Sequence, residues 1–162
     1  MRARLFLALT ILGVSGCQWA VLVSTTDMAV GYNFRLVIQQ VQATSGGVEV
    51  VSAVTSTARQ DFYANVGDAI NAASEQSTIF AAAGTHAVIE RRASGTVWES
   101  VSASPLDEGA RFVVLKAGGK YKLVGDIAKV PGTYRIRLDY FTRNNDPKAT
   151  ALHDYSPTFQ VR

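Results

Sequence analysis

The chain has 162 residues, of which 48% are hydrophobic and 18% charged, and its formal net charge is +3. This length predicts one domain with a sizeable core, and the low charged fraction argues against a disordered chain. Two of the 16 basic residues, Arg2 and Arg4, lie in a predicted export signal, which leaves 14 against 13 acidic residues. Nucleic-acid-binding proteins carry a larger basic excess, so we predict no nucleic-acid partner. The single cysteine excludes an internal disulfide and a multi-cysteine metal site.

The first 16 residues predict this export signal. Residues 1–4 (MRAR) are positively charged, and Leu5–Gly13 (LFLALTILG) is an apolar run of the length found in signal peptides. Val14–Cys17 (VSGC) follows, with small residues before the cysteine. We therefore expect residues 1–16 to be a signal peptide and residues 17–162 to form the mature domain.

The sequence Val14-Ser15-Gly16-Cys17 resembles the lipobox of bacterial lipoproteins, in which an aliphatic residue and two small residues precede an acylated cysteine. Valine stands here where leucine is commonest in that family. The resemblance implies that Cys17 is the lipidation site and that the protein is anchored to the membrane by its acylated N-terminus. Gln18, rather than aspartate, follows Cys17, which in this family implies sorting to the outer membrane. Several acyl chains together hold a protein far more stably than one does.

Two other interpretations of this segment stay open. Val14 and Gly16 also suit an ordinary signal-peptidase cut, which would release a soluble protein. Leu5–Val23 is long and apolar enough to span a bilayer as an uncleaved anchor. All three interpretations place the rest of the chain outside the cytoplasm, facing the periplasm or the cell surface. Trp19–Val23 follows Cys17 almost without a linker, so this stretch is either a first strand or a segment close to the membrane.

The remaining sequence predicts short strands separated by turns. Apolar residues alternate with polar ones, or form short β-branched runs, over residues 33–41, 48–54, 85–91, 96–101, 110–115, 121–123, 133–143 and 159–161. Glycine, proline and asparagine separate these stretches, as at Gly118-Gly119 and Pro131-Gly132. This spacing predicts an all-β, antiparallel sandwich rather than a parallel α/β fold. Residues 67–83 stay open between a short helix capped by Asp68 and a strand with a loop.

The stretch Gly132–Ile136 (GTYRI) resembles the corner before strand F of immunoglobulin-like sandwiches. That resemblance implies that the Tyr134 hydroxyl bonds back to the backbone and that Trp98 matches the buried tryptophan of strand C. The wider pattern over residues 85–162 is similar to the immunoglobulin-like modules of bacterial lipoproteins. It implies a single immunoglobulin-like β-sandwich domain and no particular activity.

The polar residues do not predict a catalytic or metal site. Residues 153–156 contain His, Asp and Ser, but a catalytic triad requires side chains that converge in space, so a polar loop is expected there. Turn chemistry is favoured over calcium binding at Asp107-Glu108 and at Asn144–Asp146. We expect His86 to be a surface or boundary residue, and Glu90 and Glu99 to form ion pairs with neighbouring strands. The sequence therefore predicts a protein without catalytic residues, metal ligands or cofactors.

We expect an exported, lipid-anchored, non-catalytic module that binds another macromolecule or supports an assembly of the cell envelope. The alternative is a small periplasmic inhibitor or ligand carrier. With Tyr134 and Ile136 in the core, alternation turns Arg135, Arg137 and Phe141 outward. Arginine and aromatic residues are enriched at interfaces, so these three are the predicted partner-binding residues, with a protein or another envelope component as the partner. The competing interpretation is that both arginines are solvated or paired with Glu99.

Overall fold

The structure is a computed structural model that describes residues 32–66, 77–102, 112–143 and 150–162. The predicted signal segment, Cys17, Asp107-Glu108 and Asn144–Asp146 all lie outside these ranges. Within the described ranges every regular element is a β-strand, which confirms the expected all-β class. None of these ranges contains a helix that is long and apolar enough to cross a bilayer.

The strands vary in length from three to ten residues. In chain order the described ranges contain β1 (Phe34–Ala43), β2 (Val48–Ser56), β3 (Phe62–Asn65), β4 (Ser77–Ala81), β5 (Ala87–Ser94), β6 (Val97–Ser100), β7 (Phe112–Leu115), β8 (Lys120–Ile127), β9 (Gly132–Tyr140), β10 (Leu152–Tyr155) and β11 (Phe159–Val161). The long strands β1, β2, β8 and β9 coincide with the strongest period-two stretches of the sequence, because alternating apolar residues suit a sheet with one buried face.

The strands form two larger sheets and one small one. The first sheet has the order β1-β2-β8-β4, and all its pairs are antiparallel except β4 with β8, which is parallel. The second sheet has the order β10-β9-β5-β6, and β11 also pairs with β9. β10 pairs with the end of β9 and β11 with its beginning, so both occupy one edge of β9. β3 and β7 form the small third sheet.

Both larger sheets supply side chains to one hydrophobic core. The ring of Tyr140 on β9 lies 4.8 Å from that of Phe34 on β1 and 4.9 Å from that of Phe62 on β3, between centroids. Gly125 on β8 lets the two sheets approach closely, since a Cβ there would lie 2.9 Å from Ile89 Cδ1 on β5. The inner faces of the two sheets therefore pack against each other, with β3 closing one end.

One expectation needs correction, and two segments without an assigned strand contain one. Residues 153–155, within the segment expected as a polar loop, form the end of β10, with Asp154 buried, and residue 156 follows the strand. β3 has no counterpart among the predicted strands. For residues 67–83 the sequence leaves open a short helix or a strand with a loop, and the described part of this segment contains the strand β4, which pairs with β8 in parallel.

Trp98 is not the buried core tryptophan that the resemblance implies. It lies on β6 opposite Arg92, and its side chain is half-exposed on the side of the sheet away from the core. Tyr134 is as expected. It is buried, and its hydroxyl donates a 2.5 Å hydrogen bond to the carbonyl oxygen of Val130.

Tyr134→Phe removes the hydroxyl group and leaves the rest of the buried ring in place. We expect the free energy of unfolding to fall by about 0.5–1.5 kcal/mol, the net value of one hydrogen bond. Urea denaturation of the domain from Trp19 onward measures this change. The matched control is Tyr63→Phe, because the Tyr63 side chain is half-exposed and lies outside the core cluster. Equal stabilities of Tyr134→Phe and the unchanged protein would contradict a role for this bond.

Candidate binding face

The side of the second sheet that faces away from the core carries an unusual concentration of arginine and aromatic residues. It is built by four strands whose register places these side chains in adjacent rows. We call this surface the arginine face, and its members are Glu90 and Arg92 on β5, Trp98 on β6, Arg135, Arg137 and Asp139 on β9, and Tyr155 on β10. The structure thus brings two of the three predicted partner-binding residues, Arg135 and Arg137, onto one surface.

Glu90 is the centre of the arginine face. Although it points away from the core, it is only 3% exposed. One carboxylate oxygen accepts a 2.7 Å hydrogen bond from Arg135 Nε, and the other accepts a 2.6 Å bond from Arg137 Nη1. Arg137 Nε also lies 3.1 Å from an oxygen of Asp139. Charge-assisted bonds of this kind are the strong ones in proteins, so both guanidinium groups are held in fixed positions.

The arginines pair with Glu90 and not with Glu99, the partner named in the competing interpretation. The reason is the register of β5 and β6, which places Glu99 opposite Arg91. Side chains alternate between the two faces of a strand, so Glu99 and Arg91 lie on the side opposite to Glu90. Glu99 accordingly forms a long ion pair of 4.0 Å with Arg91.

Aromatic rings enclose the guanidinium group of Arg135. Its Cζ atom lies 4.2 Å from the ring centroid of Trp98 and 3.9 Å from that of Tyr155. The Cζ atom of Arg92 lies 4.9 Å from the Trp98 centroid. Each cation–π contact contributes about 0.5–1 kcal/mol at an exposed site. These contacts connect Arg92, Trp98, Arg135 and Tyr155, which come from four of the five strands of the sheet.

Phe141, the third predicted binding residue, lies beyond the end of β9 and in different surroundings. Its half-exposed ring is 4.9 Å from the ring of His86 and 6.5 Å from that of Phe112, between centroids. Its backbone pairs with that of Tyr63 through bonds of 2.8 and 2.9 Å. The structure therefore groups Phe141 with an aromatic cluster and not with Arg135 and Arg137.

His86 is a half-buried boundary residue, as expected. Its Nδ1 atom accepts a 2.9 Å hydrogen bond from the backbone N–H of Asn65, and its ring packs against Phe112 and Phe141. Burial lowers the pKa of His86, while the charge of Asp139 opposes this shift. The environment thus favours a neutral ring whose role is packing.

Residues 153–156 do not assemble into a triad. Because residues 153–155 lie on β10, Asp154 points into the protein, whereas the rings of His153 and Tyr155 contact each other on the outer side. The hydroxyl of Ser156 accepts a 2.8 Å hydrogen bond from the backbone N–H of Ile136. His153 and Asp154 therefore cannot act together on one group in this arrangement.

Asp154 has a different set of partners. It is 1% exposed, and its carboxylate accepts hydrogen bonds from the backbone N–H groups of Tyr32, Asn33 and Phe34 at 2.8, 3.1 and 2.7 Å. The hydroxyl of Tyr140 donates a further bond of 2.9 Å. Burial raises the pKa of Tyr140, so this hydroxyl keeps its proton and remains a donor. Successive N–H groups that converge on one anion are a recognised way of stabilising a negative charge.

Within the described ranges, no three His, Cys, Asp or Glu side chains are grouped so that they could hold a metal ion. No family model, curated protein or solved structure matches the chain. A functional assignment therefore depends on the geometry of the arginine face.

Glu90→Gln tests whether this carboxylate holds the arginine face together. The variant keeps the size of the side chain but removes the charge that two guanidinium groups share. We expect the free energy of unfolding to fall by about 1–3 kcal/mol, because hydrogen bonds to charged groups are stronger than neutral ones. Trp98 fluorescence should also change as Arg135 loses its fixed position.

The matched control for this variant is Glu99→Gln. Its side chain is 57% exposed and its ion pair is long, so the loss should be at most about 1 kcal/mol. Urea denaturation compares the two variants directly. If Glu90→Gln is no more destabilising than Glu99→Gln, Glu90 does not organise this surface.

Proposed function

We propose that this protein is an exported, lipid-anchored, non-catalytic immunoglobulin-like module that binds a macromolecule of the cell envelope through the arginine face. In this proposal residues 1–16 are removed, Cys17 carries the acyl chains, and the domain stands at the outer membrane. The sequence from the positive residues 1–4 to Cys17 supports the anchor. The binding role rests on the geometry around Glu90.

The strand order supports an immunoglobulin-like assignment. β1, β2 and β8 have the relative places of strands A, B and E, and the edge strand, β9, β5 and β6 have those of strands G, F, C and C′. The bond from the Tyr134 hydroxyl to Val130, four residues earlier, supports the same assignment, because a bond of this kind is made by the corner tyrosine of that fold. Two features differ. β4 covers the free edge of β8 as a parallel strand and precedes β5 in the chain, whereas strand D of an immunoglobulin domain is antiparallel and follows strand C. β3 and β7 form a small additional sheet.

The fixed arrangement of Arg135 and Arg137 is the observation that carries the binding proposal. Flexible side chains lose conformational entropy when a partner immobilises them, which weakens binding. Here Glu90, Trp98 and Tyr155 already hold both guanidinium groups in place. Arginine, tryptophan and tyrosine are also the residue types that contribute most at protein interfaces. The surface is thus organised for binding before a partner arrives.

The charge of the arginine face indicates which partners fit. Three guanidinium groups stand against the two carboxylates of Glu90 and Asp139, so one positive charge is in excess. Complementary charge increases the rate of association and excludes partners of like charge. A protein or another envelope macromolecule that exposes acidic groups beside apolar surface matches this face.

Arg92→Glu tests the face without breaking the Glu90 pairs. Arg92 is exposed at the rim of the arginine face, and a glutamate there reverses the local charge beside Trp98. We expect cross-linking in intact cells, with partners identified by mass spectrometry, to recover several-fold less of the same partner. The melting temperature should stay nearly unchanged, because exposed charges contribute little to stability.

The matched control is Lys122→Glu, which makes the same charge change at an exposed position of β8 on the other sheet. Its partner recovery should equal that of the unchanged protein. Equal recovery for Arg92→Glu and Lys122→Glu would remove the arginine face as the binding surface.

Acyl labelling in the same cells reports on the anchor, since Cys17→Ser should abolish the label.

A further inference from the structure

Exposed hydrophobic side chains are concentrated at one end of the domain. Among the described residues the exposed large hydrophobic side chains are Tyr32, Val37, Val97, Phe112, Val114, Val130 and Leu152. Tyr32 and Leu152 lie where β1 and β10 begin, and Phe112 and Val114 lie on β7, the partner strand of β3. Scattered exposed hydrophobic residues are ordinary, but a cluster of them marks an interaction site.

The strand pairing places these side chains at the same end of the domain. Phe141 pairs with Tyr63, and Tyr63 pairs with Val114, so these three side chains lie side by side. Leu152 pairs with Tyr140, the residue before Phe141, and therefore lies at the same end on the other face of β9. The Phe112 ring adjoins that of Phe141. We call this surface the aromatic end, and its members are Tyr32, Tyr63, Phe112, Val114, Phe141 and Leu152.

The segment that leads to the predicted anchor joins the domain at this same end. Tyr32 is 89% exposed, and its backbone N–H and those of the next two residues are held by Asp154. The point at which the chain leaves the domain is therefore fixed beside Leu152 and Tyr140. Residues 18–31 separate Cys17 from Tyr32, and a chain of that length spans at most about 50 Å.

We propose that the aromatic end docks onto the surface of the lipid bilayer that carries the Cys17 anchor. This inference rests on the lipid anchor of the proposed function. Tyrosine and other amphipathic aromatic side chains favour the membrane–water interface. Exposed Arg143, two residues after Phe141, adds a positive charge at the same end, which suits phospholipid headgroups.

Residues 18–31 act as a tether between the anchor and the domain, so even a low intrinsic affinity of the aromatic end for the bilayer is sufficient for docking. A binding event within one tethered molecule depends on the effective concentration that the linker sets, and a short linker keeps that concentration high. The part of the domain nearest to the attachment point meets the bilayer first. The arginine face ends at Asp139, the outward residue next to Phe141, whereas its centre at Glu90 and Arg135 lies further along β9. Docking at the aromatic end therefore leaves the centre of the arginine face open to a partner.

The test uses two single-cysteine labels on the full acylated protein, since acylation blocks Cys17. Val114→Cys places an environment-sensitive fluorophore at the aromatic end, where Val114 is 40% exposed. Val97→Cys is the matched control, because Val97 is a valine on an edge strand, 53% exposed, at the opposite end of the sheet. The protein is reconstituted into vesicles of phosphatidylethanolamine and phosphatidylglycerol that contain spin-labelled lipids.

We expect the Val114 label to shift to shorter wavelength and to lose fluorescence to the lipid quencher, while the Val97 label is unaffected. Equal quenching at both positions, or none at Val114, overturns docking. A concentration-dependent shift of the Val114 label in detergent assigns the surface to a second copy of the chain and also overturns it.

Vesicle flotation separates this inference from the anchor on which it rests. Protein that floats with vesicles only when Cys17 is present supports the anchor. Once flotation has established the anchor, the fluorescence of the Val114 and Val97 labels tests the docking proposal independently of it. If Cys17→Ser floats equally well, the lipid anchor fails, and the docking proposal fails with it. Circular dichroism of each labelled variant confirms that the strands are intact.

Discussion

The buried carboxylate of Asp154 joins the start of β1 to β10 and so connects the two sheets at one end of the domain. A charge in the protein interior is costly unless hydrogen bonds compensate it. Here three consecutive backbone N–H groups and the Tyr140 hydroxyl surround it. The same contact positions Phe34 against Tyr140 and Phe62, whose rings begin the shared core. The path of the chain into the domain therefore depends on this one side chain.

A second buried carboxylate, Glu90, organises the opposite side of the same sheet by different means. Asp154 is stabilised by backbone dipoles and a neutral hydroxyl, whereas Glu90 is stabilised by the guanidinium groups of Arg135 and Arg137. The first arrangement is rigid and internal, so it serves the fold. The second presents charged and aromatic groups to solvent in fixed positions, which is the arrangement that the proposed recognition requires. The two acids thus act on the two faces of one sheet.

Period-two alternation explains why much of the fold follows from the sequence. Alternation along β9 predicts Tyr134 and Ile136 inside and Arg135 and Arg137 outside, and the structure confirms this, because a strand with one buried face fixes every side chain. In short edge strands, alternation in the sequence does not show which side chains face the core. β6 has four residues, and only its register with β5 shows that Trp98 joins Arg92 on the outer side.

The candidate site was only partly predictable, because its pairings depend on register between distant strands. Glu90 and Glu99 both lie on strands near the arginines, and nothing in the sequence tells which one faces them. Tyr155 escapes sequence-based prediction for another reason. β10 contains His153 and Asp154, so it resembles a loop, and only the partners that surround Asp154 make it a strand with a buried acid. The one sequence signal that could have suggested β10 is the polar stretch just before the final alternating strand.

Native-state hydrogen exchange in Asp154→Asn tests most directly whether this carboxylate holds the start of β1 against β10. The variant keeps the shape of the side chain but removes its charge and turns an NH₂ group toward the backbone donors. We expect the amide protons of Asn33 and Phe34 to lose protection and the free energy of unfolding to fall by about 3 kcal/mol. Asp139→Asn, on the outer side of β9, should leave those two amides protected. Unchanged protection of Asn33 and Phe34 in Asp154→Asn would contradict the account.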